Sequence, residues 1–237
     1  MGWLIPDRPK VPEYSYEEVR PQMQTGDVVV CSGTGTGAFV IKVAERSCYT
    51  HVGLVRVDKD GAVLLLHTVP RGRLRDKITG TLGVDGPQVV DLSGWIQQYR
   101  ERGGHVYWRQ LIGERTPEML DAIEWNRHRF RFSRYERKPA QMLGAVWHRL
   151  SNSHEDRDTF VFCSEYVAHL LAGKPENSIH GGWSSTRRVG AVIELVYPDG
   201  TPREPSRYSP KDWSAQQCVH GIVEAPGYEF RSEVEVM

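Results

Sequence analysis

Runs of apolar residues separated by polar turns predict an alternation of strands and helices along this chain. The β-branched run Val28–Val30 predicts a buried strand, and apolar residues at helical spacing predict a helix over Ala38–Arg46. The segments His51–Val57 and Ala62–His67 flank an Asp-Gly turn, which is typical of a β-hairpin. The segment Thr68–Gln88, rich in Gly, Pro and Arg, predicts a long surface loop.

The second half of the chain predicts mostly helices. A capping Thr before a Pro marks the start of one of them at Thr116, and Gly173 and Pro175 mark the end of another. The predicted elements are a helix over Ser93–Glu101, a strand over His105–Leu111, helices over Thr116–Phe130 and Ala140–Leu150, an extended Phe160–Phe162, a helix over Cys163–Leu171 and a strand over Ala191–Val196. These elements predict one α+β domain over residues 26–220, with an N-terminal extension at 1–25 and a C-terminal tail at 221–237.

Composition narrows the class of protein. The 237 residues include 30 Lys and Arg against 30 Asp and Glu, so the formal net charge is zero and nothing indicates a nucleic-acid partner. No apolar run is long enough to cross a bilayer, and the first residues lack the pattern of a secretory signal. We therefore expect a cytoplasmic chain without an integral membrane segment, with delivery by a phage or a secretion machine left open.

The four cysteines are too few and too scattered for a disulfide scaffold in a chain of this size. No CxxC or HExxH motif occurs, and none of the nine histidines has metal-ligand spacing with a cysteine. We therefore predict neither a metal site nor a cofactor.

The glycine run Gly33, Gly35 and Gly37 follows a predicted strand and precedes a predicted helix, as in dinucleotide-binding proteins. Asp58 lies about 20 residues further on, where such proteins bind the ribose. However, the next strand turns straight back as a hairpin, whereas parallel strands need a helical crossover. A loop that shapes a groove is the favoured interpretation, and nucleotide binding remains an alternative.

Cys163 is the best candidate nucleophile. It stands where an extended segment gives way to a helix, so its sulfur should lie near the helix N-terminus. The unpaired N–H groups and the dipole of that terminus favour a thiolate and can stabilise an oxyanion. We therefore expect a pKa below the usual range for this thiol. A buried, unreactive cysteine is the alternative.

The hairpin supplies a base and a group to orient it. A three-residue loop places His51 directly opposite His67, and a four-residue loop places it opposite Thr68. In either register two imidazoles lie on adjacent strands, within reach of one another. A Cys-His-His site needs His51 close to Cys163, within about 4 Å between the ring and the sulfur.

Four segments in this order resemble a known family: GDVVV at 26–30, YTHVGLV at 49–55, a polar residue ending the next strand, and FCSEYVAHLL at 162–171. They resemble the permuted NlpC-type papain-like cysteine hydrolases, which include YiiX-like proteins and relatives of lecithin:retinol acyltransferase. The resemblance covers roughly residues 26–220. It implies a papain-like fold in which a small antiparallel sheet packs against the nucleophile helix.

The resemblance also implies roles for individual residues. Cys163 would be the nucleophile, His51 the general base and His67 the orienting residue. Tyr135, Tyr49 and Ser164 would border the substrate.

The resulting prediction is a hydrolase or acyltransferase that acts on an amide, a peptide or an acyl ester through a thioester. The alternative from another class is a catalytically idle binding module of the same fold.

Overall fold

The computed structural model describes residues 5–135, 160–176, 188–216 and 222–237, which form a mixed α+β structure. The strands, in chain order, are β1 Glu13–Tyr14, β2 Val28–Ser32, β3 His51–Val57, β4 Val63–Val69, β5 Gly86–Asp91, β6 His105–Arg109, β7 Leu111–Ile112, β8 Arg134–Tyr135, β9 Phe160–Val161, β10 Lys174–Pro175, β11 Arg188–Val189, β12 Ile193–Glu194, β13 Val223–Glu224, β14 Glu229–Phe230 and β15 Val234–Val236. The described α-helices are α1 Tyr16–Val19, α2 Thr36–Glu45, α3 Leu92–Arg100, α4 Pro117–Phe130 and α5 Cys163–Leu171. Short 3₁₀ turns cover Arg20–Gln22, Pro205–Arg207 and Pro210–Trp213.

A seven-stranded sheet in the order β1-β15-β6-β2-β3-β4-β5 forms the centre of the fold. Its neighbouring strands are antiparallel except for β1 and β15. Because side chains alternate between the two faces of a strand, the sheet supports two hydrophobic layers. Val52 and Leu54 belong to the layer that includes α5, whereas Val55 and Leu65 belong to the layer that includes Trp95 of α3.

The two ends of the chain are part of this sheet. β1 lies in the segment predicted as an extension, and β15 in the segment predicted as a tail. They pair with each other in parallel, and β15 also pairs with β6. The strand pairing of the domain therefore reaches beyond the predicted limits of 26 and 220, because β15 adds its hydrogen bonds to the free edge of β6.

The loop predicted over Thr68–Gln88 contains the start of an unpredicted strand, β5. Pro87 pairs with Thr68 in this strand, although proline cannot donate a hydrogen bond to a ladder. It is tolerated because β5 is the edge strand of the sheet and has a neighbour on one side only.

The hairpin has a longer loop than either predicted register. Val57 pairs with Val63, and the pairs continue to Leu54 with Leu66. Extending this register by one residue places His67 across from Gly53, and His51 lies two residues further along. The histidines are therefore diagonal neighbours on the same face of the sheet, still close enough for long side chains to meet.

β2 and β3 pair antiparallel, with Val30 opposite Val52. This pairing contradicts the dinucleotide-binding alternative for Gly33, Gly35 and Gly37, because that fold needs parallel strands joined by a helical crossover. The helix predicted over residues 140–150 lies outside the described residues. No helix in the described ranges is both long and apolar enough to cross a membrane.

Candidate active site

The first turn of α5 fixes the position of Cys163. Phe162 is extended and caps the helix, so Cys163 is its first helical residue. The backbone N–H of Phe162 donates to the carboxylate of Glu165 at 3.3 Å. The Ser164 hydroxyl donates to the carbonyl of Tyr208 at 2.7 Å, which ties this turn to the segment before Pro210.

The sulfur of Cys163 lies at the beginning of β3. The backbone N–H groups of Val52, Ser164 and Cys163 itself stabilise its thiolate form and lower its pKa. Val52 lies outside the ladder between β3 and β4, which begins only at Leu54. The thiol therefore lies near a backbone group that directly follows His51 in the chain.

Burial raises the pKa of the Cys163 thiol to about 11, while the three backbone N–H groups lower it. The expected depression of this pKa is thus not found, because the side chain is only 5% exposed and desolvation outweighs the helix N-terminus. Cys163 rests as a neutral thiol at neutral pH.

His51 and His67 form a buried hydrogen-bonded pair, which we call the histidine pair. The Nε2 atom of His51 and the Nδ1 atom of His67 are 3.0 Å apart, and the rings meet edge to face. Trp95 of α3 packs against both rings, with centroid distances of 5.3 and 4.3 Å. α3 therefore closes the side of the histidine pair that faces away from α5.

Burial also keeps the histidine pair neutral. It lowers the pKa of His51 to about 3. It lowers the pKa of His67 well below 6.5, and the neighbouring His51 adds to this effect. Because a neutral imidazole keeps one nitrogen lone pair, each ring can both donate and accept one hydrogen bond.

The start of β3 lies near both the candidate nucleophile and the candidate base. His51 begins the strand, and the backbone N–H of the next residue, Val52, stabilises the thiolate form of Cys163. No direct hydrogen bond joins the Cys163 thiol to the His51 imidazole, although both residues lie in the described part of the chain. Catalytic hydrogen bonds are often long or poorly aligned before a substrate is bound.

The three residues expected to border a substrate have different surroundings. Tyr49 is fully buried, and its hydroxyl donates to the carboxylate of Glu233 at 2.9 Å, so it belongs to the core. Ser164 is also buried, with its hydroxyl directed at Tyr208. Tyr135 is 8% exposed and lies edge to face against Phe162, the residue directly before Cys163.

Two residues near this site were not predicted from the sequence. Gln88 lies opposite His67 on β5, with its Nε2 atom 3.1 Å from Nε2 of His67. Tyr99 of α3 interacts electrostatically with Cys163, and its hydroxyl is 3.2 Å from the hydroxyl of Thr50. Gln88 contacts the histidine pair directly, whereas Tyr99 packs against Trp95, which contacts that pair.

A close approach at Gly33 completes the surroundings. The backbone N–H of Gly33 donates to the Thr50 hydroxyl at 2.8 Å. A Cβ atom at this position would lie 2.7 Å from the hydroxyl of Tyr99, so only glycine fits without a shift. The first glycine of the run thus serves packing beside the site.

A metal site is a separate question. Among the described residues, no group of three or more His, Cys, Asp and Glu side chains is arranged to hold a metal ion.

Comparison with known proteins finds similar solved structures. No family model and no curated protein matches the sequence. Among solved structures, the chain is similar to the metalloprotein yiiX from Escherichia coli O157:H7, with 15% sequence identity and a TM-score of 0.43. The match covers 90% of this chain and 98% of that one. The permuted papain-like topology implied by the sequence resemblance remains a prediction.

Proposed function

We propose that this chain is a papain-like cysteine hydrolase or acyltransferase of the permuted NlpC type. Its substrate would be an amide, a peptide or an acyl ester, and Cys163, His51 and His67 would form its catalytic site. The observation that carries the proposal is the histidine pair at the start of β3, where the backbone N–H of the next residue, Val52, stabilises the thiolate form of Cys163.

The reaction would begin from the neutral state. Nε2 of His51 is engaged by His67, so Nδ1 would accept the thiol proton as the sulfur attacks the substrate carbonyl. Backbone N–H groups at the N-terminus of α5 would stabilise the negative oxygen of the tetrahedral intermediate. The protonated His51 would then give its proton to the departing amine or alcohol, which leaves a thioester on Cys163.

The thioester would be resolved by a second acceptor. His51 would take a proton from water, or from a hydroxyl or amine of an acyl acceptor, as that group attacks the thioester. The proton would return to the sulfur as the bond to Cys163 breaks. Water gives a hydrolase and another acceptor gives an acyltransferase.

Trapping of the thioester tests the proposal. The protein is incubated with p-nitrophenyl butyrate and with peptide p-nitroanilides, quenched in acid, and its cysteine-containing peptides are measured by mass spectrometry. We expect an acyl adduct on Cys163 that is absent from Cys163→Ala and present in Cys48→Ala, which removes another buried thiol. Adducts spread equally over the cysteines would contradict the proposal.

A catalytically idle binding module is the second candidate. It is favoured by the raised pKa of Cys163 and by the lack of a direct hydrogen bond between this thiol and His51, both in the described part of the chain. The absence of any adduct, together with unchanged binding of a substrate-like amide by Cys163→Ala, would favour this candidate.

A further inference from the structure

Gln88 extends the histidine pair into a chain of three side chains. It is 3% exposed and pairs directly with His67 across β4 and β5. One hydrogen bond joins it to Nε2 of His67, and a second joins Nδ1 of His67 to Nε2 of His51. Both ring nitrogens of His67 therefore take part in hydrogen bonds, so the direction of the bond at Gln88 determines which nitrogen of His51 is protonated.

The protons of these three hydrogen-bonded side chains can be arranged in two ways. If the amide of Gln88 donates, His67 must hold its proton on Nδ1 and donate to Nε2 of His51. His51 then carries its own proton on Nδ1. If the amide accepts through Oε1, His67 is protonated on Nε2, His51 is protonated on Nε2, and Nδ1 of His51 keeps its lone pair.

Only the second arrangement leaves His51 a free lone pair with which it could act as a base. With Nε2 of His51 engaged, Nδ1 is the nitrogen that remains to take a proton from the thiol. In the structure Oε1 of Gln88 is buried without a hydrogen-bond partner among the described residues, while Nε2 contacts His67. The oxygen and nitrogen of an amide differ by a half-turn of the group, and the hydrogen-bond network decides between them.

We propose that Gln88 is a positioning residue for this site, and that its Oε1 accepts the Nε2 proton of His67 and thereby keeps Nδ1 of His51 free. This inference rests on the proposed function for the use of that lone pair. The direction of the hydrogen bonds is a property of the resting protein and can be measured without turnover.

The same arrangement would also stabilise the positive charge that His51 acquires when it takes a proton. When His51 takes the thiol proton it becomes an imidazolium, and its Nε2–H donates to His67. His67 donates in turn to Oε1, so the negative end of the amide dipole faces the new positive charge. A donating amide would present its positive end instead, in a buried site where such interactions are weakly screened.

Gly72 leaves the space that the amide occupies. A Cβ atom at this position would lie 2.3 Å from Oε1 and 2.8 Å from Nε2 of Gln88. The backbone N–H of Gly72 donates to the carbonyl of Val84 at 2.8 Å, which holds the loop in place over the amide. A Gly72→Ala substitution should therefore push the amide away from His67 without removing it.

The first test reads the tautomers directly. The ring ¹⁵N shifts of Cys163→Ala are measured by NMR at neutral pH, with His51→Gln and His67→Gln used for assignment. We expect both histidines to be protonated on Nε2, and we expect this tautomer to be lost from His67 in Gln88→Leu. Protonation of both rings on Nδ1 would overturn the inference and leave the thioester experiment unaffected.

The second test compares three replacements of Gln88 or its support. Gln88→Leu should lower kcat/KM about tenfold, the size of one hydrogen bond. Gln88→Glu, which accepts but does not donate when ionised, should recover most of this loss and move the acid limb of the pH profile upward. Gly72→Ala should behave like Gln88→Leu.

Matched controls separate this role from simple packing. Gln97→Leu removes an exposed glutamine from α3, and Gly94→Ala adds a methyl group where only ordinary contacts are met. Both should keep the wild-type rate and pH profile. A Gln88→Leu variant with the wild-type pH profile, or a Gln88→Glu variant no better than Gln88→Leu, would overturn the inference.

Discussion

At the scale of single residues, the Cys163 thiol and the His51 imidazole are both uncharged in the resting protein. The thiol of Cys163 has a pKa of about 11 and His51 has a pKa of about 3, so neither is ionised near pH 7. A thiolate–imidazolium pair, as the helix N-terminus alone would suggest, is not the resting state. Catalysis would then require proton transfer during the attack itself.

The alkylation of Cys163 should follow this neutral resting state. Because the thiolate is the reactive form, the rate with iodoacetamide should be low at pH 6 and rise steadily up to pH 10. The measurement is the pseudo-first-order rate at Cys163 by mass spectrometry, with Cys48→Ala as the control background. A fast reaction at pH 6 that is lost in His51→Ala would show instead that the two groups already share a charge pair.

The two histidines should differ in their effect on turnover. Cys163→Ala and His51→Ala should each abolish it, whereas His67→Ala should leave a measurable remainder because His67 acts through His51. His67→Asn keeps an acceptor and should retain more activity than His67→Ala. The measurement is kcat/KM for variants with matched melting temperatures, and a wild-type rate for His67→Ala would remove His67 from the site.

At the scale of elements, α3 supports the histidine pair through its N-cap. The carboxylate of Asp91 accepts from the backbone N–H of Gly94 at 3.2 Å and from the Ser93 hydroxyl at 2.6 Å. Asp91→Ala should lower the free energy of unfolding by about 1 kcal/mol, and Asp91→Asn by less, because asparagine also caps well. Urea denaturation measures both, and equal losses would assign the effect to the charge of Asp91.

Elements with a clear hydrophobic period were predictable. The strand His51–Val57 and the helix Cys163–Leu171 have the predicted bounds, because both have long apolar patterns and clear end signals. β5 was not predictable, since Pro87 is its second residue and its pairing depends on its place at the sheet edge. Gln88 was missed with it.

The surroundings of the candidate site could not be predicted where packing decides them. The sequence left open whether the hairpin loop has three or four residues, and the loop of residues 58–62 places His51 and His67 on one face of the sheet. The pKa of Cys163 could not be predicted, because burial is set by α5 and its neighbours rather than by the helix start. Tyr49 was expected at the substrate and lies in the core, where its hydroxyl donates a hydrogen bond to Glu233.

At the scale of the whole molecule, the histidine pair makes the fold sensitive to acid. Both pKa values are lower in the folded chain than the ordinary 6.5 of an unfolded one. As the pH falls below 6.5, the unfolded chain binds protons that the folded chain does not, so stability is lost; for His51 the window runs from about 6.5 to about 3. At pH 5 His51 should cost about 2 kcal/mol of unfolding free energy, and His67 adds a loss in the same direction.

Urea denaturation at pH 7 and pH 5 measures this loss. His67→Gln should show a markedly smaller drop between the two pH values than the wild type, because one of the two protonation sites is gone. His128→Gln, which removes an exposed histidine, should keep the full drop. An equal drop in His67→Gln would place the acid sensitivity elsewhere in the molecule.

The histidine pair and Gln88 lie on three strands that follow one another along the chain, and this bears on the order of folding. β3, β4 and β5 are consecutive strands, and the two hydrogen bonds of His67 span only 16 and 21 residues. Cys163 belongs to a helix much later in the chain, and β15 is the last strand in the sequence. Because short loops close at a lower entropic cost, the strands that hold the histidine pair should form early, while the helix that holds Cys163 should dock in a slower step of higher contact order.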